Sequence, residues 1–217
     1  MKKQLFAVAL LASAVAAVAE TPFYITGDLG GTITPNAHLS EFFGPVAPGS
    51  TVKFDPGFRL GVTGGYRITD WLSAEVNSGI MSSKVDSVTG ATSLRDTYLS
   101  NIPLQAGLRL QWPHFGHFVP FVGASAGGDV SVLDIDHLTL NGIHVRGDQG
   151  DAVFAWQAFG GLRYSINEHM GVGLEYHYFA SDSADWTARH VYGTPTDHLR
   201  FGPVDIHAFS LAFEYRF

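Results

Sequence analysis

The chain of 217 residues has no cysteine. That excludes a disulfide framework, a thiolate nucleophile and an iron–sulfur centre, so an exported domain of this kind must take its stability from something other than disulfide staples. Positive charge is scarce too. The 13 Lys and Arg stand against 20 Asp and Glu, a formal net charge of −7. Nucleic-acid binding needs a basic patch that this balance does not supply, and no nucleic-acid partner is expected. Long apolar runs are also missing: beyond residue 19 no stretch reaches the roughly 18–20 consecutive apolar residues of a spanning helix.

The N-terminus carries an export signal. Lys2 and Lys3 form a positive n-region, Leu5 to Val15 an apolar h-region, and Ala17-Val18-Ala19 the small residues of a peptidase site. The expected cut lies between Ala19 and Glu20, with Ala17 and Ala19 as the recognised small residues. An uncleaved anchor is the alternative, but the run is short for one and ends on an A-x-A site. The organisation expected is a signal peptide over 1–19 and one domain over 20–217.

What is present is apolar and rich in glycine and aromatics, with 25 Gly and 16 Phe. A membrane protein without spanning helices must be a closed β-barrel, because lipid cannot satisfy exposed backbone groups. A soluble β-sandwich shares the composition, so the pattern within strands has to separate the two. Period-two reading gives eight strands, roughly 22–33, 56–68, 71–81, 97–112, 117–130, 152–166, 170–180 and 205–217. In the second, Phe58, Leu60, Val62, Tyr66 and Ile68 share one parity, and Arg59, Gly61, Thr63, Gly65 and Arg67 the other. The last sets Phe209, Leu211, Phe213, Tyr215 and Phe217 against Ser210, Ala212, Glu214 and Arg216. The apolar parity holds no charge in the spanning part of any strand, and the polar parity is rich in glycine, as a narrow lumen requires. The fifth strand is too rich in small residues to fix its own phase; placing Val122, Ala124 and Ala126 outward turns Asp129 inward.

Connections alternate in length. Thr69-Asp70, Pro113–Gly116 and Asn167–His169 are tight, whereas about 34–55, 82–96, 131–151 and 181–204 are long polar stretches. An up-and-down barrel with both termini in the periplasm has this alternation, with the long loops outside. Asn141-Gly142 suggests a small hairpin inside the third long loop. Aromatics gather at both strand ends: Phe23, Tyr66, Trp112, Phe118 and Tyr164 beside the short turns, and Phe58, Tyr98, Phe154, Trp156 and Phe209 near the long ones. Two girdles at two interfaces would look like this. The fold class expected is all-β: an eight-stranded antiparallel up-and-down transmembrane β-barrel in the bacterial outer membrane.

The opening strand Tyr24–Gly31, the runs Asn101–Arg109 and Pro120–Ala124, Gly160–Tyr164, Gly173–Tyr176 and the terminal Phe213–Phe217 together resemble the small eight-stranded outer-membrane barrels of the outer-membrane protein A and opacity-protein type. The resemblance covers the whole chain after the leader and speaks to fold, since such barrels serve as adhesins, stress-resistance proteins and more. It implies outer-membrane lipid as surroundings, with the barrel-assembly machinery and periplasmic chaperones as partners during biogenesis. It also implies that Phe213, Tyr215 and Phe217 form a C-terminal assembly signal.

The inward parity carries Asp28, Arg59, Arg67, Glu75, Arg109, Asp129, Arg163, Glu175, Glu214 and Arg216. Buried charges persist only when paired and hydrogen-bonded, so these ten are expected to form a network filling the lumen. Arg67 with Glu75, and Arg163 with Glu175, fall on diagonal positions around tight turns, within reach of long side chains. A gated ion path is the alternative. Catalysis is not expected: His207 is the only strand histidine on the outward parity, Ser210 faces inward, and a lipid A-modifying enzyme would need both on one side of the wall. No cofactor or metal set is read either. His38, His137, His144, His190 and His198 fall in different long loops without tight ligand spacing. The function expected is non-enzymatic, structural or surface-binding, with any ligand met by the long outer loops; a small pore is the rival.

Overall fold

Side chains on an extended chain alternate between two faces, and in this protein the two faces meet different solvents. The computed structural model describes residues 22–42, 45–113, 115–140, 142–187 and 198–217. The expected leader at 1–19, with Ala17 and Ala19, lies outside them, as does His190. No helix occurs among the described residues. The strands are β1 (Phe23–Ile33), β2 (Ala37–Phe42), β3 (Thr51–Phe54), β4 (Gly57–Arg67), β5 (Leu72–Val88), β6 (Ala91–Gln111), β7 (Phe118–Leu140), β8 (Ile143–Ser165), β9 (Met170–Ser181), β10 (Asp185–Thr187), β11 (His198–Phe201) and β12 (Val204–Arg216).

Eight of them close a ring, β1-β4-β5-β6-β7-β8-β9-β12, each antiparallel to its neighbours. Closure removes the edges that lipid would leave unpaired. The β5–β6 ladder skips the positions around Pro103, which has no N–H to give. Outward positions are Leu29, Leu60, Leu104, Leu108, Leu174 and Leu211 in the middle of the wall, all largely exposed, as only a lipid-facing surface tolerates. Both aromatic sets lie on this outer face: Phe23, Tyr66, Trp112, Phe118 and Tyr164 at the turn end, Phe58, Tyr98, Phe154, Trp156 and Phe209 at the other. Val122, Ala124 and Ala126 point outward and Asp129 inward.

The long stretches differ from the expected polar loops. β5 and β6 run on to a turn at Thr89-Gly90, and β7 and β8 run on until Leu140 pairs with Ile143, the hairpin site read at Asn141-Gly142. The other two long connections fold into β2, β3, β10 and β11, which continue outward from β5 in the order β3-β2-β11-β10. The Asp185 N–H donates to Asp151 of β8 at 2.8 Å, bringing the far end of that row back to the barrel wall. A second storey therefore stands on the membrane ring.

Its interior is apolar. Leu39, Phe42, Val52, Val85, Leu133, Ile135, Trp186, Leu199 and Phe201 form one buried cluster, with the Trp186 and Phe201 rings edge to face at 4.9 Å. The apolar parity inverts along single strands. On β7, Val122 and Val130 face out, then Leu133 and Ile135 face in. The physical reason is a change of solvent: inside the bilayer the outer face meets hydrocarbon, above it the outer face meets water and the hydrophobic effect drives apolar side chains inward. The inversion marks the outer membrane boundary near Ile33, Val130, Phe154, Tyr178 and His207.

Candidate functional site: the charged lumen

All ten inward charges line the lumen; seven of them are buried, and Arg67, Glu175 and Arg216 are half-buried. Their pairing differs from the diagonal scheme. Glu75 sits between two arginines, Arg67 on β4 and Arg109 on β6, and takes Arg109 at 3.2 Å. Arg163 leaves Glu175 and reaches Glu214 at 2.6 Å. Glu175 is bonded instead to His177 at 3.1 Å. Among the described residues Arg67 has no carboxylate within ion-pair distance.

Glycine explains the correction. Strand β9 presents Gly171 and Gly173 to the lumen beside Arg163, and a Cβ at Gly171 would stand 3.0 Å from Arg163 Cδ. The arginine lies across this bare wall to β12, two strands away. In the same way Tyr24 lies over Gly65, where any Cβ would collide with its ring. Its hydroxyl donates to Glu75 Oε1 at 2.6 Å on the strand beyond. An eight-stranded interior is narrow enough for such reaches to decide the pairing before diagonal neighbours do.

The centre of the network is Glu214. Its Oε2 accepts from Arg163 Nη1 at 2.6 Å and Arg109 Nη2 at 3.1 Å, while Oε1 accepts from Arg216 Nε at 2.8 Å. Gln111 Oε1 accepts from Arg163 Nη2 at 3.1 Å. The Arg109 guanidinium also faces the Tyr24 ring at 4.4 Å and Phe121 at 5.3 Å. A separate pair, Arg59 with Asp28 at 2.6 Å, lies higher, where Gly61 leaves room for the Asp28 carboxylate. Among the described residues Asp129 meets no cation; it accepts from Asn101 Nδ2 at 2.6 Å. Tyr24, Gln111, Phe121 and Asn101 were missed as network members because the sequence reading followed charges. Tyr24 was legible, since it shares the parity of Thr26 and Asp28.

Two levels obstruct the lumen. Above the Arg109 layer lies a void of about 10 Å³, lined by Asn77, Phe121, Gln157, Phe159 and His177, near the smallest space that holds one water. Beyond it stands the apolar core of the outer storey. Below the network, the mouth at the short turns opens into a cavity of about 380 Å³.

The remaining candidates fall elsewhere. His207 is on the outer wall, bonded to the Tyr176 hydroxyl at 2.7 Å, while Ser210 is buried in the lumen, so the barrel wall separates them. His137 and His144 meet across the β7–β8 hairpin, ring centres 5.7 Å apart, with Thr139 Oγ1 2.7 Å from His144 Nδ1. Among the described residues no three metal-ligating side chains gather. Phe213, Tyr215 and Phe217 lie on the outward parity at the C-terminal end, where the Phe217 N–H donates to the Phe23 carbonyl at 3.1 Å.

The family model for the outer membrane protein beta-barrel domain matches residues 5–217. The chain belongs to that family. This barrel is thus a bacterial outer-membrane protein. Among solved structures it is similar to neisserial surface protein A, at 16% identity over 91% of this chain and 98% of that one, with a TM-score of 0.55. It is similar to OprG from Pseudomonas aeruginosa, at 16% identity over 90% and 96%, with a TM-score of 0.61. AlkL, solved in lipid bilayers, matches at 16% identity over 94% of each chain, with a TM-score of 0.57. At this identity the likeness is one of fold. No curated protein matches the sequence.

Proposed function

We propose that this outer-membrane barrel is a non-enzymatic surface protein whose lumen is sealed and whose outer storey is the part that meets partners. The observation that carries the reading is the double closure: a charge network centred on Glu214, a void of only about 10 Å³ above it, and then the packed core around Leu133 and Trp186. A solute path would need both layers to open. The storey rises from β5 to β8 as continuous strand rather than loose loop, which suits a surface that holds its shape for recognition. Phe213, Tyr215 and Phe217 are assigned to the assembly signal on the same footing, as an alternating aromatic face ending the last strand.

A small pore is the second reading, favoured by the cavity of about 380 Å³ at the mouth beside the short turns. Vesicles containing the refolded chain should swell in small sugars no faster than protein-free vesicles. Swelling that scales with the amount of folded barrel would replace the sealed reading with the pore.

A further inference from the structure

We propose that the periplasmic mouth of the barrel is a binding site for a small phosphate monoester. The cavity of about 380 Å³ ends blindly against the Tyr24 and Arg109 layer, so it is a vestibule and not the start of a channel. Four arginines line it: Arg67, Arg109, Arg163 and Arg216. The buried carboxylates that answer them are two, Glu214 from the lining and Glu75 behind Tyr24. Asp70, the remaining acid of the lining, is exposed at the rim, where water screens its charge. The interior of the mouth is thus short of two negative charges, and a phosphate monoester at neutral pH carries nearly that many.

The donors point the same way. Among the described residues Arg67 has no carboxylate partner. The guanidiniums of Arg163 and Arg216 belong to the same lining, each held on one side by Glu214. Planar guanidinium forks gathered on one cavity suit bidentate pairing with the oxygens of a tetrahedral phosphoryl group. The lining belongs to the lumen parity, so the ligand arrives from the periplasmic water and not from the lipid leaflet. The volume leaves room for a small organic group beyond the phosphoryl oxygens.

The probe is glycerol phosphate, titrated at constant ionic strength into the full refolded barrel in lipid nanodiscs. Arginine side-chain ¹⁵N resonances provide the readout. Saturable shifts are expected at Arg67, Arg163 and Arg216. Arg67→Ala should weaken binding about tenfold or more, the factor a lost charge-assisted hydrogen bond corresponds to. Arg67→Lys, which keeps the charge and the fold but not the fork, should weaken it less. Arg146→Ala, on the exposed outer storey, should change nothing. Shifts that grow linearly without saturating, or saturation unaffected by both Arg67 variants, would overturn the proposal. Conductance of the same refolded protein in a planar bilayer keeps this outcome separate from the sealed-lumen reading, since a pore would conduct whether or not the mouth binds phosphate.

Discussion

Replacing Glu214 by Gln removes the one charge that three arginines share. The carboxylate is 4% exposed and accepts from Arg109, Arg163 and Arg216. Arg109 keeps Glu75, and Arg216 keeps the Ser165 hydroxyl at 3.1 Å. Arg163 is left with the neutral Gln111 alone. Removing one partner of a buried ion pair costs about 3–5 kcal/mol, because the other charge stays buried and uncompensated. Glutamine still accepts through one oxygen, so the lower part of that range is expected, about 3 kcal/mol. Arg163→Met combined with Glu214→Leu removes the stranded charge and should recover at least half of the loss. The assay is urea unfolding of the variants refolded in lipid vesicles, followed by tryptophan fluorescence and by heat-dependent gel mobility. If Glu214→Gln stays within about 0.5 kcal/mol of the parent, the guanidiniums are solvated rather than buried and the filled-lumen argument is wrong.

Other substitutions probe the wall and its orientation. Leu211→Arg puts a charge on the most lipid-exposed leucine of β12, 69% exposed, and should cost about 2–4 kcal/mol in the same unfolding assay. A serine at Gly64, outward but smaller in change, should be far milder, and equal tolerance would mean the outer face is not in lipid. Gly65→Val drives a side chain into the Tyr24 ring, so a loss of about 1–3 kcal/mol is expected together with a changed Tyr24 environment by NMR. Tags inserted after Gly142 should be open to antibody on intact cells, and tags after Asp70 only after the outer membrane is permeabilised. The reverse pattern would invert the topology.

The membrane ring was legible in the sequence because its signal has one period and one rule: apolar out, charge-free, ten residues long. The outer storey was not. On β7 the apolar side chains change faces between Val130 and Leu133, and a search for a continuing phase reads that inversion as the end of the strand and the start of a loop. The same inversion occurs on β5, where Val76 faces lipid and Met81, Val85 and Val88 face the core. Aligning the two phases about a boundary would have exposed the storey. Parity assigns Asp28, Glu75 and Arg163 to the inward face, and their side chains are buried. Their partners did not follow, because Arg163 and Tyr24 each reach over a glycine to the second strand along, Gly171 in one case and Gly65 in the other. Register fixes nearest neighbours, and only the missing Cβ atoms reveal the longer reach.

The most direct test of a lumen closed by the Glu214 network and the outer core is single-channel recording of the refolded parent protein in a planar bilayer. With folding verified by gel mobility in the same preparation, the closed account predicts a silent bilayer in concentrated potassium chloride, with no discrete steps at moderate voltage. Reproducible steps of uniform size, rising in number with added folded protein, would contradict it.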